Sequence, residues 1–313
     1  MRICFFNRSY WPDFGATGQL LTELAEDLVS RHGCEVSVVA GLPLTSANGA
    51  TGGAALVSRE TRNGVEIFRA SGTTFRPRRF AGRAANYLTY FLSASVAGLR
   101  VPRPDVVVSL TDPPIIGLAA LAAARRAGAR FVFLSEDVFP NVAALVEDFH
   151  SDVVNATLER VNRRLARSAD CIVVLGERMK RRLVEEKGAD PTKIEIIHNW
   201  ADCSAIVPGS KDNPFSREHG LENAFVVMHS GNVGLSQNLD TLLDAAECLR
   251  EYPDIIVVIV GDGARRQRLV EEARRRGLAN VRFLPYQPKA RLLESFAAAD
   301  EFDVSLKRGH EGN

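Results

Sequence analysis

The chain has 313 residues, 46% of them hydrophobic and 25% charged, with a formal net charge of +1. That length exceeds one ordinary domain and predicts two, each able to bury its own core. The near-zero charge excludes a bulk attraction to nucleic acid, so any basic surface must be local. Ile3–Phe6 reads as a first strand, followed by a long loop from Asn7 that ends in Gly15-Ala-Thr-Gly18. Leu20, Leu21, Leu24, Ala25 and Leu28 then fall at helical spacing, and Glu35–Ala40 is a second strand. Strand, glycine loop and helix invite a dinucleotide-binding reading. That fingerprint needs GxGxxG tight against the strand and an acid after strand two. Here the glycines are wrongly spaced and strand two runs into Gly41-Leu-Pro43, so nicotinamide binding is set aside.

Thr45–Gly53 is small and polar, a predicted mobile loop, and Gly64–Ala70 is another strand. Arg76, Arg78, Arg79 and Arg83 then lead into Ala84–Leu99, a predicted helix apolar nearly all round, with Tyr87, Tyr90 and Phe91 close together. Such a cluster suits an anionic membrane surface, at about 1 kcal/mol per cation. A core helix beside a solvated basic loop is the other reading of the same residues. Pro104–Leu110 is a buried strand, followed by Thr111-Asp-Pro-Pro114 and a helix from Ile115. Arg130–Ser135 is the next strand, with Glu136-Asp-Val-Phe-Pro140 at its carboxyl end. Ligands of open α/β sheets bind at such ends, which places Asp137 for chemistry, although a turn aspartate fits the sequence equally. An amphipathic helix over 151–167, a strand at Cys171–Leu175, a helix from Glu177 and a strand over Lys193–Asn199 complete a doubly wound domain, 1–205. His198 and, further on, His229 stand at strand ends, where lone histidines are more often packed or capping residues.

Pro208–Pro214 is the clearest linker signal, giving a linker of 206–222 and a second domain of 223–313. Phe225–Met228 is a strand, Ser230–Gly234 a glycine turn, and Gln237–Ala246 the opening of a helix. A glycine turn feeding a helix N-terminus suits a phosphate, because bare amides approach the anion and the helix dipole adds roughly 0.3–1 kcal/mol. A βα turn that binds nothing has the same spacing. Strands at Pro253–Val260, Asn280–Leu284 and Phe302–Leu306 follow, with Gly261-Asp-Gly263 after the first and helices between. The five cysteines (Cys4, Cys34, Cys171, Cys203, Cys248) form no CxxC pair, which predicts reduced thiols in a cytoplasmic protein and no metal site. No apolar run reaches the roughly 20 residues that span a bilayer, and Met1 enters a strand at once, leaving no room for a signal peptide.

Several of these stretches together resemble family 4 glycosyltransferases of the GT-B fold, in particular bacterial colanic-acid and O-antigen polysaccharide transferases. They are Tyr10-Trp-Pro12 with Gly15–Gly18, Glu136–Pro140, Lys193–Asp202, Ser230–Gln237, Gly261–Gly263 and Ser305–Gly309. The resemblance covers the whole chain. It implies two Rossmann-like doubly wound domains and a sugar moved from a nucleotide donor, a UDP-sugar, to a polyprenyl-diphosphate-linked glycan. Anomeric configuration would be retained, with no cofactor and no essential metal. Asp137 would be the catalytic carboxylate. Gly15, Gly231, Asn232, Gly234, Gln237, Gly261, Asp262, Tyr286 and Glu311 would bind the donor. The family often places an arginine and a lysine where this chain has Asn232 and Gln237, and Asn141 stands where the subgroup has a glutamate.

The resemblance also implies a truncated second domain, since Glu311 would be the first of two paired glutamates and the second lies past Asn313. The last helix, which braces the first domain, would be missing too, and activity is expected to be impaired. A different GT-B enzyme, such as a sugar-nucleotide epimerase, and a non-catalytic remnant are the competing readings. The expected location is the cytoplasm, peripheral on the inner face of the plasma membrane, with the donor, the lipid-linked acceptor and anionic lipid as partners.

Overall fold

A computed structural model describes the chain except for Phe14, 44–54, 74–79, 139–151, 308–313 and the side chains of Phe80, Ala81 and Arg83. The backbone separates into two units, dividing between Trp200 and Ala201. The division falls five residues before the expected end of the first domain.

The first unit holds an eight-stranded sheet in the order β3-β4-β2-β1-β5-β6-β7-β8. Its strands are β1 (Arg2–Phe6), β2 (Glu35–Gly41), β3 (Val57–Arg62), β4 (Val65–Ala70), β5 (Val106–Ser109), β6 (Arg130–Ser135), β7 (Cys171–Val174) and β8 (Ile194–Ile196). All neighbours run parallel except β3 and β4. Helices α1 (Ala16–Ser30), α2 (Phe80–Arg100), α3 (Ile116–Ala127), α4 (Asp152–Ser168) and α5 (Glu177–Lys187) connect them. One face of the sheet buries Phe6, Val107, Phe131, Phe133 and Ile172 under α2 to α5. On the other face, Ile3, Phe5, Val36 and Val38 pack beneath Leu21 and Ala25 of α1. These strands read as near-continuous apolar runs because both faces of a parallel sheet are normally covered.

The β3–β4 hairpin is absent from the sequence reading, which begins a strand at Gly64. Its turn is Asn63-Gly64, with φ of +48° and +81° at the two positions. Asn-Gly supplies the two positive φ values that a two-residue hairpin demands. That signal is present, but Ser58-Arg-Glu-Thr-Arg62 is too polar to look like a strand. As an edge strand, β3 leaves four of its six residues exposed.

The second unit has a four-stranded parallel sheet in the order β11-β10-β9-β12. These are β9 (Phe225–Ser230), β10 (Ile255–Val260), β11 (Val281–Leu284) and β12 (Glu301–Phe302). Its helices are α6 (Pro214–His219), α7 (Leu239–Cys248), α8 (Arg266–Arg275) and α9 (Leu292–Ala297). Val233, Leu239, Leu243 and Leu269 cover one face, and Phe215, Leu221 and Ala298 cover the other. Helix α6 corrects the expected linker at 206–222. Asn213 caps it by accepting from Ser216 N at 3.0 Å, and Phe215 and Leu221 are wholly buried in this unit's core. The proline at N1 that looked like a loop signal instead starts a helix.

Candidate functional site

In both sheets the strand order reverses beside the first strand of the unit, between β1 and β5 and between β9 and β12. Chain segments leave such a point in opposite directions, so a crevice opens at the strands' carboxyl ends, where α/β proteins bind ligands. The expected site residues divide between these two places.

In the first unit, the loop after β1 is fastened to the loop after β5 through Asp112. Its carboxylate accepts from Ser9 Oγ at 2.6 Å and from Arg8 Nε at 3.3 Å, while Arg8 N donates to the Asp112 carbonyl at 2.7 Å. The Arg8 guanidinium lies over the Tyr87 ring of α2, 5.8 Å from its centroid. Buried Arg69 fixes the same loop from below, donating to the carbonyls of Trp11 and Gly41. After β6, burial raises the pKa of Asp137, and the negative charge of Asp112 raises it further. Glu136 is raised as well, first by burial and then by the charges of Asp137 and Asp112, against the lowering effect of a Thr17 hydrogen bond. Burial and the Asp112 charge on the adjacent strand end thus make Glu136 and Asp137 hold their protons more tightly, the usual origin of a carboxyl tuned for proton transfer. No described residue donates a hydrogen bond to the Asp137 carboxylate. The sequence reading passed over Asp112, although its place after a buried strand was the same signal that marked Asp137. Gly15 is the exposed N-cap of α1, and a Cβ there would meet nothing.

In the second unit, the turn after β9 differs from a row of free amides. Gly231 N donates to the Val260 carbonyl at 2.9 Å, and Val233 N to the Asp262 carbonyl at 2.9 Å. Gly234 N is capped by Gln237 Oε1 at 3.1 Å. The amides with no acceptor among the described residues are those of Asn232 and of the stretch from Leu235 into the first turn of α7. Gly261 and Gly263 have another reason to be glycine. Their φ values are +146° and +156°, and a Cβ on either would overlap a carbonyl oxygen of the turn, that of Gly231 or Val233. The two loops therefore meet backbone to backbone. Arg265 locks them in place, its N–H donating to Val233 O at 3.0 Å and its guanidinium to Asp240 of α7 at 2.6 Å. Tyr286, 55% exposed, stands by the exposed Asp262; partial burial and that charge raise its pKa.

The structure therefore gathers Gly231, Asn232, Gly234, Gln237, Gly261, Asp262 and Tyr286 at one end of the second sheet. Glu311 and Asn141 lie outside the described residues, as do Arg76, Arg78 and Arg79, the side chain of Arg83 and the 45–53 loop. Within the expected membrane segment, Tyr90 is corrected. It is 2% exposed and donates its hydroxyl to Val39 O at 3.2 Å, so it is a core residue. Phe91 packs against the same core, and Tyr87 faces Arg8. The face of α2 turned to solvent carries Leu88, Leu92 and Leu99, each more than half exposed. A cavity of about 380 Å³ between Cys4, Gly98, Arg103 and Arg126 contains none of the expected site residues. A groove of about 270 Å³ lined by Leu20, Leu24, Val132, Leu134 and Ile197 has Glu136 on its wall.

Residues 15–200 match the Glycosyl transferase 4-like domain family, and residues 212–312 match Glycosyl transferases group 1. The chain belongs to the glycosyl transferase 4-like family. It is 28% identical over 233 residues to the probable glycosyltransferase WbjE of Pseudomonas aeruginosa, covering 74% of this chain and 58% of that protein. Over 127 residues it is 31% identical to the putative colanic acid biosynthesis glycosyl transferase WcaI of Escherichia coli strain K12, covering 40% of this chain and 31% of that one. The matches to these two family members thus span less than two thirds of their lengths. Among solved structures, Anabaena Alr3699/HepE in complex with UDP-glucose shares the fold, with a TM-score of 0.68 at 17% identity, over 96% of this chain and 73% of that one. The fold is GT-B, as expected from the sequence.

Proposed function

We propose that this chain transfers a sugar from a nucleoside-diphosphate sugar to a glycan acceptor during surface polysaccharide synthesis. The observation that carries the reading is the turn after β9. A glycine strand-end leads to uncapped amides from Leu235 into α7, at the reversal of strand order and within the group 1 match. The diphosphate rests on the amides of Asn232 and 235–240, with Gln237 able to release Gly234 N to it. Asn232 and Gln237 contribute hydrogen bonds without charge. Asp137, raised by burial and by Asp112, acts on the acceptor or the transferred sugar. The name of WbjE supports glycosyl transfer, that of WcaI supports the polysaccharide setting, and the HepE complex supports a UDP-sugar donor. Retention of configuration and independence from metal belong to the same proposal.

The acceptor in this reading is a polyprenyl-diphosphate-linked glycan at the inner face of the plasma membrane. The exposed Leu88, Leu92 and Leu99 of α2 supply an apolar face for that surface. No helix among the described residues is long and apolar enough to cross a membrane. The test is incubation with UDP- and GDP-sugars and a lipid-linked glycan, following nucleoside diphosphate release and the mass of the glycan. Release matched by a one-sugar mass increase supports the proposal. A sugar epimerised on its nucleotide, with no mass increase, would replace it with the epimerase reading.

A further inference from the structure

Beneath the Gly231 turn lies a polar pair that the donor contacts described above do not use. His229 is 7% exposed at the end of β9, and Asp303 follows β12, its N–H donating to the Met228 carbonyl at 2.8 Å. The pair therefore straddles the reversal of strand order in the second sheet. His229 Nδ1 lies 3.4 Å from the Asp303 carbonyl oxygen and 3.9 Å from Asp303 Oδ2. Both groups are acceptors, an arrangement that suits a proton on Nδ1. His229 Nε2 is buried with no hydrogen-bond partner and points to the underside of the turn, 3.9 Å from where a Gly231 side chain would begin. Asp303 Oδ2 is likewise buried and has no hydrogen-bond partner, while Oδ1 accepts from Ser305 Oγ at 2.6 Å. With Nδ1 protonated, a neutral ring presents only a lone pair at Nε2, and a cationic ring presents a donor and a positive charge.

We propose that His229, held by Asp303, supplies a cation to the diphosphate site, and that donor binding takes up a proton at this ring. The inference rests on the turn being the donor site. The turn's own side chains, Asn232 and Gln237, bring no charge. Two charged groups on the surrounding elements, Arg265 and Asp262, are otherwise engaged. Arg265 is bound to Asp240 at the start of α7. The Asp262 carboxylate accepts from Gly263 N at 2.7 Å on the loop after β10. The main-chain N–H of Lys307 donates to Ser236 O at 2.9 Å, which fixes that segment against the turn. Ile259, the register neighbour of His229 on β10, is apolar. A diphosphate above the turn supplies the negative charge that favours the cationic ring, and the ring's proton returns to solvent when the nucleotide leaves.

The experiment is calorimetry of the full chain with UDP-glucose and GDP-mannose, whose diphosphate diesters do not titrate between pH 6 and 8. Each is measured at pH 6, 7 and 8 in two buffers of different ionisation heat. Expected are net proton uptake and affinity that falls toward tenfold per pH unit above the ordinary histidine range. In His229→Gln, affinity at pH 6 falls about tenfold or more, and the pH dependence disappears while the circular dichroism and melting temperature are retained. Asp303→Asn weakens binding in the same direction and moves the pH dependence to lower pH. Wild-type binding without proton uptake, or a His229→Gln variant that folds and keeps both affinity and pH dependence, overturns the inference while leaving the turn as the donor site. Failure of both nucleotides to bind at any pH overturns that reading and this inference together.

Discussion

Gly261→Ala probes the backbone contact on which the second unit's site is built. At φ +146° an alanine occupies a region open essentially only to glycine, at a cost of about 1–3 kcal/mol. Its Cβ would also stand 3.0 Å from the Gly231 carbonyl carbon and overlap the oxygen, and both partners are main chain, so no rotamer relieves it. Pushing the two loops apart adds about 1–3 kcal/mol by analogy with overpacked cores. The sum, about 2–6 kcal/mol, is a large share of a domain's stability. With a urea slope of about 1–3 kcal/mol per molar, the midpoint should fall by about 0.7 M or more. Both tryptophans, Trp11 and Trp200, lie in the first unit, so their fluorescence reports that unit while circular dichroism reports both. The dichroism transition of the second unit should move and the tryptophan transition should stay. A dichroism shift below ~0.3 M would refute the close approach of the loops.

Asp112→Asn removes a charge that raises Asp137, so the acidic limb of the pH–rate profile should move to lower pH, while Asp137→Asn should abolish most turnover with donor affinity retained. Lys187, 2% exposed, donates to Glu159 at 2.5 Å, and Lys187→Met should cost about 1–3 kcal/mol at pH 7 in denaturant titrations. Burial alone would raise Glu159, but its bonds to Lys187 and Arg163 outweigh that and lower its pKa below the unfolded value. Its stabilisation is therefore full above the ordinary carboxylate range and is lost as pH falls through the depressed pKa. An equal cost of Lys187→Met at pH 7 and pH 3 would contradict this. Tyr90→Phe should lose about 1 kcal/mol, the buried bond to Val39, without changing flotation on acidic liposomes; reduced flotation at unchanged stability would restore Tyr90 to a membrane role.

The alternation of strands and helices was legible because parallel strands are apolar runs and their helices carry periodic leucines. Polar β3 and short α6 escaped for opposite reasons. The first is an edge strand with little to bury, and the second is a helix whose proline and asparagine signal a loop as readily as a cap. The glycine turn after β9 could be located, but the use of its amides could not. Which N–H groups are bonded depends on Val260 and Asp262 carbonyls brought in by a neighbouring strand. The same holds for Asp112 and Asp303, whose roles come from residues about 100 and 70 positions away, Arg8 and His229. Tyr90 looked like part of a lipid-facing aromatic cluster because periodicity alone does not say which side of an all-apolar helix meets the sheet.

The most direct test of the account is amide hydrogen exchange of the full chain with and without UDP-glucose or GDP-mannose. Protection should appear at Asn232 and from Leu235 into the first turn of α7, the amides that lack acceptors, while the already bonded Gly231 and Val233 change little. Saturating nucleotide that leaves 232–240 exchanging as before, or that protects only residues elsewhere in the chain, would contradict the placement of the donor.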